Sequence, residues 1–145
     1  MKRTVLITGA SGFLGGNLAR LLLESGENLR ILARPAANLE CLADLTGWQR
    51  VTGDLTQPAG LESALAGVDV VFHCAARVEM PRIMTPAIWE ANVGGTQNLL
   101  TACQAAGVRR LIYCSSVDAL GLPQGSQPAD ENTPWNWDAL GVENA

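Results

Sequence analysis

Residues 4–8 read TVLIT and run directly into GASGFLG at 9–15, followed by a leucine-rich stretch. Five consecutive aliphatic and β-branched residues are the pattern of a strand covered on both faces in a parallel sheet. From Phe13 to Ser25, Leu14, Leu18, Leu21 and Leu22 recur at i, i+4, i+7 and i+8, one apolar helix face. Gly26 then stands where a left-handed helix cap favours a residue without Cβ. Strand, glycine turn and helix in that order restrict the chain to a parallel sheet with right-handed crossovers.

The remainder keeps the alternation. LRILA (29–33) predicts a second strand, and 36–46 a short helix carrying Leu39, Leu42 and Leu45. A third strand lies within 49–55, and Pro58 opens the next helix, where its missing N–H costs nothing. VDVVFHCAA (68–76) is a fourth strand. One long helix follows over 85–106, with Ile88, Asn92, Gly95, Leu99, Ala102 and Ala106 on one face, and RRLIYCSS (109–116) is the fifth strand. The expected fold class is α/β, a parallel sheet with helices packed on it. Beyond Gly121 the text turns polar, with three prolines and no periodicity, so 122–145 is expected to be a loop. Trp135 and Trp137 argue against a purely solvated tail. Residues 1–121 thus read as one folded domain, and 122–145 as a loop that follows it.

Composition excludes several classes. A chain of 145 residues, 48% apolar and 17% charged, suits one globular domain. A net charge of −4 with ten basic residues offers no phosphate-backbone footprint, so nucleic acid is not an expected partner. No run approaches the ~18 apolar residues of a membrane span, and no cleavage site follows the basic start, which points to the cytoplasm. Cys41, Cys74, Cys103 and Cys114 lack C-x-x-C spacing and His73 is the only histidine, so no metal site is expected. The cysteines are taken as ordinary buried thiols in a reducing compartment.

The glycine turn carries chemistry. Gly9 lets the chain turn off the strand, Gly12 lets backbone approach a pyrophosphate, and Gly15 lets the helix pack close to the sheet. Ala10, Ser11, Phe13 and Leu14 complete the turn, whose helix terminus offers N–H donors and a positive dipole end. No Gly-Lys-Ser/Thr exists, which excludes a P-loop. At the end of the second strand an acid would take the ribose hydroxyls of NAD, whereas an arginine would pair with the 2′-phosphate of NADP. The chain has Arg34 there and no acid between Glu27 and Glu40, so NADP is favoured over NAD. The alternative is Arg34 as a solvated loop charge.

Five motifs in order resemble the extended short-chain dehydrogenase/reductase, or NAD-dependent epimerase/dehydratase, family: TGASGFLG (8–15), GDL (53–55), HCAA (73–76), NVGGT (92–96) and SSVDALG (115–121). SSVDALGLP and PADENTP are most similar to its dihydroflavonol-reductase-like branch, which includes hopanoid-associated sugar epimerases. Many members carry V-Y-G where this chain has Ala119-Leu120-Gly121. The resemblance implies that Asp54 accepts from the adenine amino group and Leu55 packs on the ring. It places Cys74, Ala75 and Ala76 along the cofactor, has Asn92 brace the active-site helix, makes Ser116 the catalytic serine and sets Ser115 beside it in the cofactor pocket. Taken singly, Asp54 as a turn former, Ala75-Ala76 as strand-end packing and Asn92 as a helix-face amide are also tenable. A homodimer of the full-length form is implied, with one of its two helices resembling 85–106. Substrate contacts from Glu79, Met80 and the Trp135–Trp137 loop are expected.

In that family serine hydrogen-bonds the substrate oxygen while a tyrosine, assisted by a lysine four residues on, passes the proton, and hydride moves to or from the nicotinamide. Here Tyr113 is the only tyrosine and Lys2 the only lysine, so Tyr-x-x-x-Lys is absent from the chain. The resemblance therefore implies a Rossmann-type doubly wound parallel sheet of order 3-2-1-4-5, with residues 1–121 as the NAD(P)-binding domain. It makes 122–145 an active-site loop leading towards a catalytic helix and substrate region that the chain does not contain. The function expected is the cofactor-binding portion of an NAD(P)-dependent oxidoreductase or epimerase. It would act on a carbonyl or alcohol carbon of a small sugar-, polyol- or carbonyl-type substrate, and the isolated chain would be inactive. Alternatives are a non-catalytic NAD(P)-binding regulatory module, and Ser116 as a nucleophile with His73 as base. No G-x-S-x-G elbow supports the last.

Overall fold

The computed structural model describes residues 2–78, 85–123 and 125–137. Strand β1 (Thr4–Thr8) lies in the middle of a five-stranded parallel sheet. Its Val5, Leu6 and Ile7 are each no more than 1% exposed. Alternation along the strand sends Leu6 to one layer, with Leu32, Val71 and Leu99, and Ile7 to the other, with Ile31, Leu29 and Ala19. A fully buried Leu or Ile contributes roughly 1.5–3 kcal/mol.

Helix α1 (Phe13–Glu24) leads to β2 (Asn28–Ala33), and a single 3₁₀ turn (Glu40–Leu42) precedes β3 (Trp48–Thr52). Helix α2 (Leu61–Leu65), β4 (Val70–His73), α3 (Pro86–Trp89), a π turn (Glu90–Gly94), α4 (Gly95–Ala105), β5 (Arg110–Tyr113) and a 3₁₀ turn (Val117–Ala119) complete the order. The sheet runs β3-β2-β1-β4-β5, as expected from the sequence. β5 is an edge strand on which Ile112 and Tyr113 are exposed. Among the described residues no helix is long and apolar enough to cross a membrane.

Several local expectations are corrected. α1 meets the sheet through small residues: Gly15, Gly16 and Ala19 are its buried positions, with Leu18 and Leu22 packed beside them, while Leu14 and Leu21 are exposed. The 36–46 stretch is not a helix. The Asn38 side chain takes the Glu40 N–H at 2.8 Å, a local bond that competes with helical pairing, although Leu42 is fully buried as its spacing suggested. α2 begins at Leu61 behind Gly60, which has φ +93°, so Pro58 belongs to the preceding turn. The 85–106 helix is interrupted by the π turn. Thr85 caps α3 ahead of Pro86, and Gly95, Leu99 and Cys103 form the buried stripe of α4. Cys103 alone is a buried thiol; Cys74 is half-buried, and Cys41 and Cys114 are exposed.

Two features set the crevice side of the sheet. Gly9 leaves β1 at φ +77°, and a Cβ there would meet the Ala75 nitrogen at 2.5 Å. Thr8 and His73 are buried polar side chains in paired register on β1 and β4, joined by a 2.7 Å bond from Thr8 Oγ1 to His73 Nδ1.

Gly9→Ala combines left-handed strain with a backbone collision, and is expected to cost on the order of 3 kcal/mol or more in urea unfolding. Gly26→Ala has a similar φ of +79° but open space around it. It is expected to cost only ~1 kcal/mol; equal losses would contradict the close approach at Gly9. Burial holds the His73 imidazole below its ordinary value of 6.5. The unfolded chain therefore takes up a proton first as pH falls, and stability present above about pH 6.5 is lost below it, with a slope of at most ~1.4 kcal/mol per pH unit. Glu27, hydrogen-bonded by Arg3, and Asp44, hydrogen-bonded by Arg20, have carboxyls held below their usual range, so their contributions fall at more acidic pH. Denaturation between pH 7 and 5.5 should show the slope in the wild type and lose it in His73→Gln.

Candidate functional site

β1 is the point where the connections part: the chain goes to β2 on one side and β4 pairs on the other. In open α/β sheets this parting leaves a crevice beyond the carboxyl ends of the strands. A cleft of about 840 Å³ opens there. It is walled by Thr8–Ser11, by Ala33 and Arg34, by Gly53–Thr56 and by Ala75–Arg77.

The glycines build one wall. The Gly12 amide donates to the Gly9 carbonyl at 3.0 Å, which folds the turn, and a Cβ on Gly15 would collide with that same carbonyl. Gly15 thus lets the helix pack on the turn itself, while a Cβ on Gly12 would lie 3.4 Å from the Gly9 carbonyl oxygen, an ordinary contact. Gly12 caps α1 in extended conformation without a side-chain cap bond, and the first turn carries no acid. The amides of Phe13, Leu14 and Gly15 therefore head a helix whose positive end has no carboxylate of its own to neutralise it.

Of the residues expected from sequence, Gly9, Ala10, Ser11, Arg34, Asp54, Leu55, Ala75 and Ala76 line the cleft. Gly12, Phe13, Leu14 and Gly15 form the helix start beside it, with Phe13 91% exposed. Asp54 keeps its turn-forming role at the same time: Oδ1 accepts from the Thr56 amide at 3.0 Å and its hydroxyl at 2.9 Å. The Leu55 carbonyl is held by Asn98 at 2.9 Å, and Leu55 packs on Gly95, where a Cβ would approach it to 3.0 Å.

Cys74, Asn92, Ser115 and Ser116 stand outside the cleft lining. Cys74 extends the β1–β4 ladder through its amide to Thr8, and burial, then the neighbouring Cys114, pushes its thiol up. Asn92 sits in the π turn and grips the Arg77 backbone twice, accepting its amide at 2.7 Å and donating to its carbonyl at 3.0 Å. Ser116 is exposed and caps the last 3₁₀ turn, its Oγ 3.2 Å from both the Asp118 amide and Oδ2. His73 has both ring nitrogens committed elsewhere, to Thr8 and Thr96, so a Ser116–His73 pair is not formed.

Other wall and bracing residues carried no motif. Arg50 on β3 donates to the carbonyls of Arg34 and Pro35 at 2.8 and 2.9 Å, fixing the turn that presents Arg34. Only the β2–β3 register brings it there. Arg77 and Glu90 also line the cleft, from segments whose local pattern signals nothing. Thr56 was missed as well, although Asp-x-Thr at 54–56 is an Asx-turn spacing that signals it. The loop after Gly121 folds back: Asn136 pairs with both the amide and the carbonyl of Leu122, and Trp137 donates to the Leu120 carbonyl at 2.7 Å. Gly121 packs so tightly on the Pro134 carbonyl that no Cβ fits. Trp135 remains 44% exposed. Glu79 and Met80 lie outside the described residues. Among the described residues no three His, Cys, Asp or Glu side chains gather as a metal site would need.

Comparison with known proteins agrees with this geometry. The family model described as "NAD dependent epimerase/dehydratase family" matches residues 5–138. A Synechocystis protein named for dihydroflavonol 4-reductase is 39% identical over 127 residues, 87% of this chain and 36% of that protein. The crystal structure of gox2253 is 44% identical with a TM-score of 0.82, covering 94% of this chain and 41% of that one. UDP-glucose 4-epimerase from Brucella ovis, solved in complex with NAD, is 28% identical with a TM-score of 0.80, covering 92% and 42%. The chain spans about two fifths of the length of these proteins. With its glycine turn, its strand order and a family match running from Val5 to Asp138, the chain belongs to the NAD-dependent epimerase/dehydratase family.

Proposed function

We propose that the chain binds a nicotinamide dinucleotide in the cleft, with the diphosphate on the amides that open α1. The observation that carries this reading is the uncapped, acid-free start of α1 at the mouth of a cleft that continues to Arg34 and Asp54. Asp54 and Leu55 are the adenine contacts, and Ala75 and Ala76 are small enough to lie against the riboses. NADP is preferred, because a guanidinium and no carboxylate stands at the end of β2.

The same reading makes the chain the cofactor-binding portion of an oxidoreductase or epimerase that acts at a carbonyl or alcohol carbon. The bound nicotinamide supplies the hydride acceptor or donor. Ser116 has the role of a hydrogen-bond donor to the substrate oxygen. Its present bonds to Asp118 lie within one short exposed turn, so reaching a substrate requires only a side-chain rotation. The general acid is not among residues 1–145, where Tyr113 on β5 lies beside His73 of β4, the rings tilted by 41° with centroids 5.4 Å apart.

Titration of the chain with NADPH and NADH by nucleotide fluorescence should show tighter binding of NADPH. Arg34→Ala should lower NADPH affinity on the order of 10- to 100-fold, the scale of charge-assisted bonds, with NADH little changed. An unchanged preference in the variant would remove Arg34 from cofactor selection. The 145-residue chain supplied with NADPH and a panel of aldehydes, ketones and keto-sugars should oxidise no cofactor above the uncatalysed rate; turnover would contradict the division of labour proposed here.

A further inference from the structure

His73 is 1% exposed and both of its ring nitrogens have partners, which allows its protons to be placed by elimination. Thr96 Oγ1 lies 2.6 Å from the Asn92 carbonyl, an atom that only accepts, so the Thr96 hydroxyl proton points there. Thr96 Oγ1 must then accept from His73 Nε2, 3.0 Å away, which puts the ring proton on Nε2. His73 Nδ1 carries none and accepts the Thr8 hydroxyl at 2.7 Å. Thr8 Oγ1 in turn accepts the Ala75 amide at 3.3 Å.

Hydrogen bonds therefore run in one direction, from the Ala75 amide through Thr8, His73 and Thr96 to the Asn92 carbonyl. The path then returns, because the Asn92 side chain holds the amide and the carbonyl of Arg77. The closed circuit fixes both ends of Ala75–Arg77, the segment that walls the cleft beside the turn at Gly9. Neither His73 nor Thr96 lines the cleft. Burial disfavours the charged ring, which keeps His73 in the single-proton form the circuit needs.

We propose that this circuit is a positioning device, in which a neutral, Nε2-protonated His73 holds Ala75–Arg77 in register with the glycine turn and so sets nucleotide affinity from outside the cleft. The proposal rests on the dinucleotide-binding reading above. Thr96 is the place to test it, since valine keeps its shape and removes the hydroxyl while serine keeps the hydroxyl.

In the 145-residue chain, nitrogen NMR of the histidine ring should report the Nε2–H neutral tautomer for the wild type and for Thr96→Ser, and its loss in Thr96→Val. Titration with NADPH and NADH should show the better ligand binding about tenfold more weakly to Thr96→Val, the scale of one buried hydrogen bond, with Thr96→Ser within about twofold of wild type. A wild type with the proton on Nδ1 overturns the circuit even where Thr96→Val does not fold. Unchanged affinity in a folded Thr96→Val that has lost the tautomer overturns the positioning role and leaves the dinucleotide reading standing. A wild type that binds neither nucleotide overturns that reading, and the affinity claim with it.

Discussion

The fold turns on an approach too close for a side chain. At Gly9 the end of β1 passes against the Ala75 backbone on one side, while its own carbonyl fills the space where Gly15 would carry a Cβ. Strand end, helix start and the loop after β4 are thus packed at backbone separation. That packing sets the start of α1 at the carboxyl edge of the sheet, beside the crevice made where strand order diverges around β1. With alanine at either glycine the turn would have to open and the helix axis would move.

The cleft and the serine segment occupy different parts of this arrangement. The cleft is built from backbone and small side chains, with Arg34 and Asp54 at its far end. Ser115 and Ser116 lie past the end of β5, outside that lining, and are exposed. His73, the one titratable side chain buried in the sheet beneath the cleft, serves neither directly. Its hydrogen bonds face inwards to Thr8 and Thr96, which accounts for a histidine on a strand that is otherwise aliphatic and aromatic. A polar side chain in such a core costs stability unless each of its nitrogens is paired, and here both are.

How far the structure was legible depended on whether its signals were local. The TVLIT run and the alternation of periods rest on patterns that a short window contains, while the 3-2-1-4-5 order came with the family resemblance, and the sheet follows both. The glycine turn was equally legible, because a positive φ and two close approaches leave only glycine at the needed positions. Pattern failed where a side chain competes with the backbone. Asn38 breaks the 36–46 stretch into turns, and Asn92 and Thr96 divert bonds where an uninterrupted helix was expected. It failed again where register sets the partner. Arg50 reaches the Arg34 turn only because β3 pairs with β2, and the Thr8–His73 bond exists only because those residues are paired across β1 and β4. The exposed Leu14 and Leu21 show a third limit: four leucines at helical spacing mark an amphipathic helix, but the small residues Gly15, Gly16 and Ala19 decide which side touches the sheet.

Amide NMR of the labelled chain during addition of NADP⁺ tests the central claim most directly, because it reads the backbone donors themselves. The largest saturable shifts are expected at Gly9, Ser11 and Gly12–Gly15, with smaller ones at Gly53–Leu55 and Ala75–Ala76. Shifts confined to other surfaces, or none at nucleotide concentrations that saturate related enzymes, would show that the start of α1 is not where the diphosphate sits.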